Sequence, residues 1–75
     1  MKTTERIAGQ QCVNLETYVD DNGMQYDLWQ GIYDKGRTGI YRILDTDTMI
    51  ALHIAFGPMA IVRERYHEVV TKAKQ

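Results

Sequence analysis

The segment Val13–Ile32, VNLETYVDDNGMQYDLWQGI, decides the fold. Apolar and polar residues alternate over its first seven positions, and this period of two predicts a half-buried β-strand. The pair Asn22-Gly23 follows and favours a type I′ hairpin turn, because both central residues of that turn need positive φ. Met24–Ile32 is therefore predicted to return as the second strand of an antiparallel hairpin.

A two-residue turn at Asn22-Gly23 would set the register of this hairpin, and cross-strand partners share a face of the sheet. One face then collects the apolar side chains and is expected to face the core: Val13, Leu15, Val19, Met24, Tyr26, Leu28 and Ile32. The opposite face collects a mixed polar and aromatic set: Asn14, Glu16, Tyr18, Gln25, Asp27, Trp29 and Tyr33.

Ile40–Leu44 is predicted as a third strand, whose register depends on the length of the loop before it. If Lys35-Gly36 forms that loop, Trp29 lies opposite Arg42, close enough for a cation–π contact. Tyr41 and Ile43 then join the core face.

Met49–Phe56 is compatible with a buried strand or a short helix, and its alternating apolar residues favour a strand. With a four-residue turn before it, the alternating set is expected on the core face: Ile50, Leu52, Ile54 and Phe56. His53 is then expected on the opposite face.

A helix is predicted after Gly57-Pro58, because proline suits the start of a helix. Its apolar residues occupy one stripe: Met59, Val62, Tyr66, Val69, Val70 and Ala73. The expected fold is α+β, a four-stranded antiparallel β-meander with one C-terminal α-helix packed on one face (ββββα). Residues 1–75 are expected to form a single small domain, in which residues 1–11 are a flexible or weakly ordered arm with a helical turn near Thr4 to Ala8.

The charge balance and cysteine count restrict the class of protein. Nine Lys and Arg residues nearly match ten Asp and Glu residues, so bulk charge does not indicate a strongly basic nucleic-acid binder. Cys12 is the single cysteine, and no apolar run follows the N-terminal residues, so a cytoplasmic location is expected. The longest apolar stretch, Met49–Phe56, is too short to cross a bilayer, and no membrane partner is expected.

The chain contains no serine, and its two histidines lack the spacing of a metal-binding motif. Glu64 and His67 form one Glu-x-x-His pair, whereas di-iron sites in helix bundles need two pairs on different helices. We therefore expect no metal, no cofactor and no catalytic residue, and a protein that is not an enzyme.

The sheet face that the helix leaves uncovered is the predicted functional surface. It is expected to carry the partner-binding residues Tyr18, Trp29, Tyr33, Arg42 and His53. Tyrosine, tryptophan and arginine are enriched at protein interfaces, and an exposed apolar-aromatic patch usually marks a contact surface. The resulting hypothesis is an interaction module that binds a protein partner or forms a homodimer. Its small size suits an accessory or inhibitor protein of a bacterium or mobile element.

Two alternative functions stay open at this point. Aromatic side chains on an open sheet, with Lys35 and Arg37 nearby, are also typical of single-stranded nucleic-acid binding. A small-ligand or catalytic site around Tyr41 and His53, enclosed at a dimer interface, is the other alternative.

Overall fold

Five strands and one helix make up the fold in a computed structural model that describes residues 3–75. They are β1 (Thr4–Ile7), β2 (Gln10–Val19), β3 (Met24–Gly31), β4 (Thr38–Asp45), β5 (Ala51–Pro58) and α1 (Met59–Ala73). The strands pair antiparallel in chain order. The α+β class, the antiparallel sheet and the C-terminal helix are thus confirmed, whereas the predicted count of four strands is wrong.

The additional strand is β1, in the segment predicted as an arm with a helical turn. Thr4–Ile7 pairs with the first part of β2 through a tight turn at Ala8-Gly9. Both turn residues have positive φ, 52° and 80°, the requirement of a type I′ hairpin. Residues 4–7 and 10–11 therefore belong to the sheet, and residues 1 and 2 of the predicted arm lie outside the described residues.

The turn between β2 and β3 differs from the predicted two-residue turn. Asp20 pairs with Met24 and its carboxylate accepts hydrogen bonds from the backbone N–H groups of Asn22 and Met24, both at 2.9 Å. Gly23 has positive φ but Asn22 does not. The loop is consequently one residue longer than predicted, and the register of β2 against β3 shifts by one residue. Such a shift moves every side chain of one strand to the opposite face relative to its partner strand.

A β-bulge at Leu15, between the pairs Asn14–Trp29 and Glu16–Leu28, changes the register of this hairpin once more. Tyr18, predicted on the uncovered face, lies opposite Tyr26 and packs toward the helix. Val19, predicted in the core, points to the other side and is 49% exposed.

The pairing of β4 with β5 reverses the predicted faces of β5. His53 lies opposite Ile43, and Ile54 lies opposite Arg42, after a register shift near Leu44. Because β5 begins at Ala51 rather than Met49, and because of this shift, Ile54 and Phe56 point away from the helix. His53 therefore lies on the face of the sheet that α1 covers, contrary to the prediction.

The main core lies between the sheet and α1 and confirms the predicted helix stripe. Its buried side chains are Leu28, Tyr41, Val62, Tyr66 and Val70. The Tyr66 hydroxyl donates a 2.9 Å hydrogen bond to the carbonyl oxygen of Tyr26. At Gly39, a Cβ atom would lie 3.0 Å from the Cβ of Val62, so a glycine allows the helix to approach β4 closely.

A second, smaller core occupies the other side of the sheet and contains Ile7, Cys12, Trp29 and Ile40 from four successive strands. Beside it, the side chains of Glu5 on β1 and Arg42 on β4 meet, although two strands separate β1 from β4. The sheet must therefore curl, as strands with bulges do. We call this side the concave face.

Candidate functional site

Trp29 and Arg42, the centre of the predicted contact surface, are enclosed within the concave face. Trp29 is 3% exposed and packs with Cys12 and Ile40. The Arg42 guanidinium carbon lies 5.2 Å from the centroid of the Trp29 ring, which confirms the predicted proximity, although the direct neighbour of Trp29 on β4 is Ile40. Because its side chain is buried, Trp29 offers little surface to a partner.

The Arg42 side chain is held by two carboxylates. Glu5 accepts two hydrogen bonds from the guanidinium, each 3.0 Å long, and Asp27 lies 3.4 Å from it. Asp27 is 1% exposed and also accepts hydrogen bonds from Thr17 and Gln25. A buried carboxylate needs such partners, because an unpaired buried charge is strongly destabilising.

The hydrogen bond from Arg42 lowers the pKa of Glu5, and the same contact raises the pKa of Arg42. Both shifts have the sign expected when each partner stabilises the charged form of the other. The geometry therefore assigns this cluster a structural role, in which it fastens β1 over the concave face.

The remaining predicted contact residues lie in separate places. Tyr18 is half-buried on the helix side, with its ring centroid 5.9 Å from that of Tyr26. Tyr33 is 83% exposed in the loop between β3 and β4. His53 is exposed on β5 and also faces the helix side. The five predicted residues thus do not form one continuous surface.

Lys35 and Arg37, the residues named for nucleic-acid binding, are exposed in the same loop as Tyr33. Asp34 organises that loop by accepting hydrogen bonds from Thr38 and from the backbone N–H of Arg37. Stacking of bases needs open aromatic rings near such basic residues. Tyr33 in this loop is open, whereas Trp29 is enclosed elsewhere. The nucleic-acid alternative therefore keeps one of its aromatic residues and stays a prediction.

A group of exposed apolar residues lies in and around β5, and four of its members, Ile50, Leu52, Ile54 and Phe56, were predicted in the core. Its members, here called the β5 patch, are Met49, Ile50, Leu52, Ile54, Phe56 and Ile61, each between 40% and 63% exposed. Residues 49–62 contain no Lys, Arg, Asp or Glu. β5 is also an edge strand, and its outer side has no strand partner among residues 3–75.

A sequence signal for the β5 patch does exist. The last strand of a meander lies at an edge of its sheet, and an edge strand without charged side chains, proline in its interior or a cover is unusual in a monomer. Contiguous exposed apolar residues on a soluble protein mark a contact site. The alternation of apolar residues in 49–56 predicts burial within the chain, and it does not by itself indicate that this strand is an exposed edge.

A second concave site lies between β5 and α1. Its volume is about 320 Å³, and it is lined by Tyr41, His53, Ala55, Phe56, Ile61, Val62 and Arg65. The Tyr41 hydroxyl and Nε2 of His53 are hydrogen-bonded at 3.0 Å. Tyr41 and His53 are the pair that the sequence singled out for a small-ligand or catalytic site, and the fold places their side chains in contact.

Residues 3–75 contain neither a metal-binding cluster nor a membrane-spanning helix. No three His, Cys, Asp or Glu side chains in this range are grouped so that they could hold a metal ion. The helix of this range is neither long nor apolar enough to cross a membrane.

Comparison with known proteins gives no relative: no family model matches the chain, and neither a curated protein nor a solved structure matches it significantly. A fold alone does not specify a function, so the surfaces described above are the basis of the proposal below.

Proposed function

We propose that this protein is a non-enzymatic interaction module that binds a protein partner through β5, and that this partner is a second copy of the same chain. The observation that carries the proposal is the β5 patch on an unprotected edge strand. Residues 49–62 contain no Lys, Arg, Asp or Glu, and six large apolar residues within them are exposed.

Pairing between edge strands accounts for both the backbone and the side chains of β5. An edge strand presents unpaired N–H and C=O groups, which an added strand satisfies with main-chain hydrogen bonds. Ile54 and Phe56 would meet apolar side chains of the added strand on the same face of the extended sheet. Burial of these apolar side chains supplies the main driving force.

A second copy is the occupant that this chemistry favours. Two β5 strands related by a twofold axis pair antiparallel, and the same patch then serves both partners. Because β5 carries no Lys, Arg, Asp or Glu, this self-pairing places none of these charged side chains opposite each other. The resulting sheet would contain ten strands, with a helix from each copy on the same extended surface.

The test is the mass in solution of wild type and of Ile54→Lys, measured by size-exclusion chromatography with light scattering. We expect a wild-type dimer and a monomeric variant, since a lysine on each copy brings charge into the apolar contact. Ile54 is 40% exposed, so the variant should keep its circular dichroism spectrum. Thr4→Lys is the matched control, an exposed position on the opposite edge strand, and should remain a dimer.

A wild-type protein that stays monomeric up to its solubility limit would refute the proposal. So would a dimer that Ile54→Lys leaves intact. Hydrogen exchange then tests the mode of pairing: amides of residues 51–58 should become more protected as wild-type concentration rises. A dimer without that added protection would rule out pairing through the β5 backbone.

A further inference from the structure

We infer that the cavity between β5 and α1 binds a small organic anion with an apolar body, of the class of medium-chain or aromatic carboxylates. Two apolar members of the β5 patch, Phe56 and Ile61, also line the cavity. Its polar lining residues lie outside the patch, and the inference does not depend on dimerisation. Its volume of about 320 Å³ is within the range of small-molecule sites in proteins.

The polar groups of the cavity favour a negative charge. Arg65 lines it from the helix, and none of the ion pairs formed within residues 3–75 involves Arg65. No acidic residue contributes to the lining. A guanidinium without a carboxylate partner is a geometrically suited receptor for a carboxylate, because its N–H groups can donate two parallel hydrogen bonds.

Tyr41 and His53 add directional hydrogen bonding on the sheet side. Tyr41 is 7% exposed, yet its hydroxyl reaches the exposed His53 ring at 3.0 Å. When the Tyr41 hydroxyl donates to Nε2, the other ring nitrogen of neutral His53 carries a proton and is a donor. In that tautomer the His53 ring, which lines the cavity, keeps one N–H donor, and the pair contributes no negative charge.

The apolar walls suit a hydrocarbon or aromatic body. Ala55 and Val62 line the cavity from the sheet and the helix, and Phe56 and Ile61 flank it while remaining 55% and 60% exposed. Ile61 lies outside the stripe with which α1 packs on the sheet. A ligand with an apolar body would cover these side chains, which the fold itself leaves uncovered.

Nuclear magnetic resonance titration of the ¹⁵N-labelled chain tests the inference with octanoate as the probe. Octanol has the same apolar body without the charge, and acetate has the charge without the body. We expect saturable shifts with octanoate at residues of β5 and the first half of α1. Octanol and acetate should bind at least about tenfold more weakly, a difference of roughly 1.4 kcal/mol.

Substitutions inside and outside the cavity distinguish binding at this site from nonspecific binding. Arg65→Gln should weaken octanoate binding by about tenfold or more, because it removes the cation. Arg63→Gln, also on α1 and exposed but outside the cavity, is the control and should bind as wild type does. Tyr41→Phe should weaken binding while retaining the ring that packs in the core.

Three results would overturn the inference: no saturable shift with octanoate, equal affinity for octanol, or unchanged affinity in Arg65→Gln. The same titration on Ile54→Lys separates this site from the proposed dimer. Octanoate binding should persist in that variant whether or not the wild-type protein dimerises.

Discussion

The two edge strands of the sheet, β1 and β5, are built in opposite ways. β1 has four residues, includes the charged pair Glu5-Arg6, and buries Ile7 to 4% exposure against the second core. β5 has eight residues, contains no Lys, Arg, Asp or Glu, and leaves Ile54 and Phe56 open. Charge and shortness are devices that protect an edge from adding a strand. The comparison shows one edge strand that is short and charged and another that is long and apolar, which is the basis of the proposed contact through β5.

The concave face shows the same contrast in its residue types. Tryptophan and arginine are typical of interface hot spots, but Trp29 and Arg42 are used here to hold β1 in place. The β5 patch, which we propose as the contact surface, is instead built from Ile, Leu, Met and Phe. Residue type alone therefore did not distinguish an interface from a buried cluster, because large side chains are used in both.

The largest expected effect on stability comes from the buried cluster on the concave face. Trp29→Ala should lower the free energy of unfolding by about 3–5 kcal/mol, because it leaves a cavity among Ile7, Cys12 and Ile40. Urea unfolding followed by circular dichroism measures this loss. Tyr33→Ala, at a position that is 83% exposed, is the control and should change stability by no more than about 0.5 kcal/mol. If Trp29→Ala unfolds at the same urea midpoint as wild type, the assignment of Trp29 to the buried cluster is wrong.

A matched pair of substitutions compares the two edges directly. Ile7→Ala on β1 should cost about 2–5 kcal/mol, as expected for a buried isoleucine. Ile54→Ala on β5 should cost less than about 1 kcal/mol when measured at concentrations where the wild type is monomeric, because that side chain is largely solvated. Equal losses in urea unfolding would remove the distinction between the edges.

Tyr66 provides a reference that belongs to neither edge, since it joins α1 to the middle of the sheet. Burial raises the pKa of Tyr66 to about 12 from its ordinary value of 10. The hydroxyl ionises at lower pH in the unfolded chain than in the folded chain. The contribution of this pKa difference to the free energy of unfolding is therefore fully present below pH 10 and is lost as the pH rises from 10 to about 12. The loss should be about 2–3 kcal/mol.

Tyr66→Phe checks this assignment through the pH profile of urea unfolding. The variant should lose about 1 kcal/mol at neutral pH, because the hydrogen bond to Tyr26 is removed. Its stability should then decline less steeply than that of the wild type above pH 10. Parallel profiles would show that another group causes the alkaline loss.

The smallest expected effect comes from the ion pair that fastens β1. Arg42 lowers the folded-state pKa of Glu5 below its ordinary value of 4.5, so the pair stabilises the fold above that pH and this contribution is lost as the pH falls through the lowered value. The Glu5 side chain is 44% exposed, which limits the contribution to less than about 1 kcal/mol. Glu5→Gln should therefore unfold at slightly lower urea than wild type at pH 7. The difference should disappear in acid, and a constant difference would contradict the assignment.

Several elements of the fold follow from short-range patterns in the sequence. The helix stripe is recognisable because burial against a sheet selects apolar residues at helical spacing, as in Val62, Tyr66 and Val70. The inward position of Tyr41 was also predicted correctly, although the loop before β4 differs in length from the one assumed. Its register differs by an even number of residues, which leaves the faces unchanged.

The sequence by itself therefore determined the class of the fold, the helix stripe and the proximity of Trp29 to Arg42. The tertiary structure alone decided the register of β2 and β5. The extra residue in the loop before β3, the bulge at Leu15 and the shift near Leu44 each move every side chain of a strand to the opposite face relative to its partner strand. It also decided that Trp29 is buried and Ile54 exposed, because burial depends on how the sheet curls and on which strand lies at its edge. Both are set by contacts between residues far apart in the chain, such as Glu5 with Arg42, and no local pattern records them.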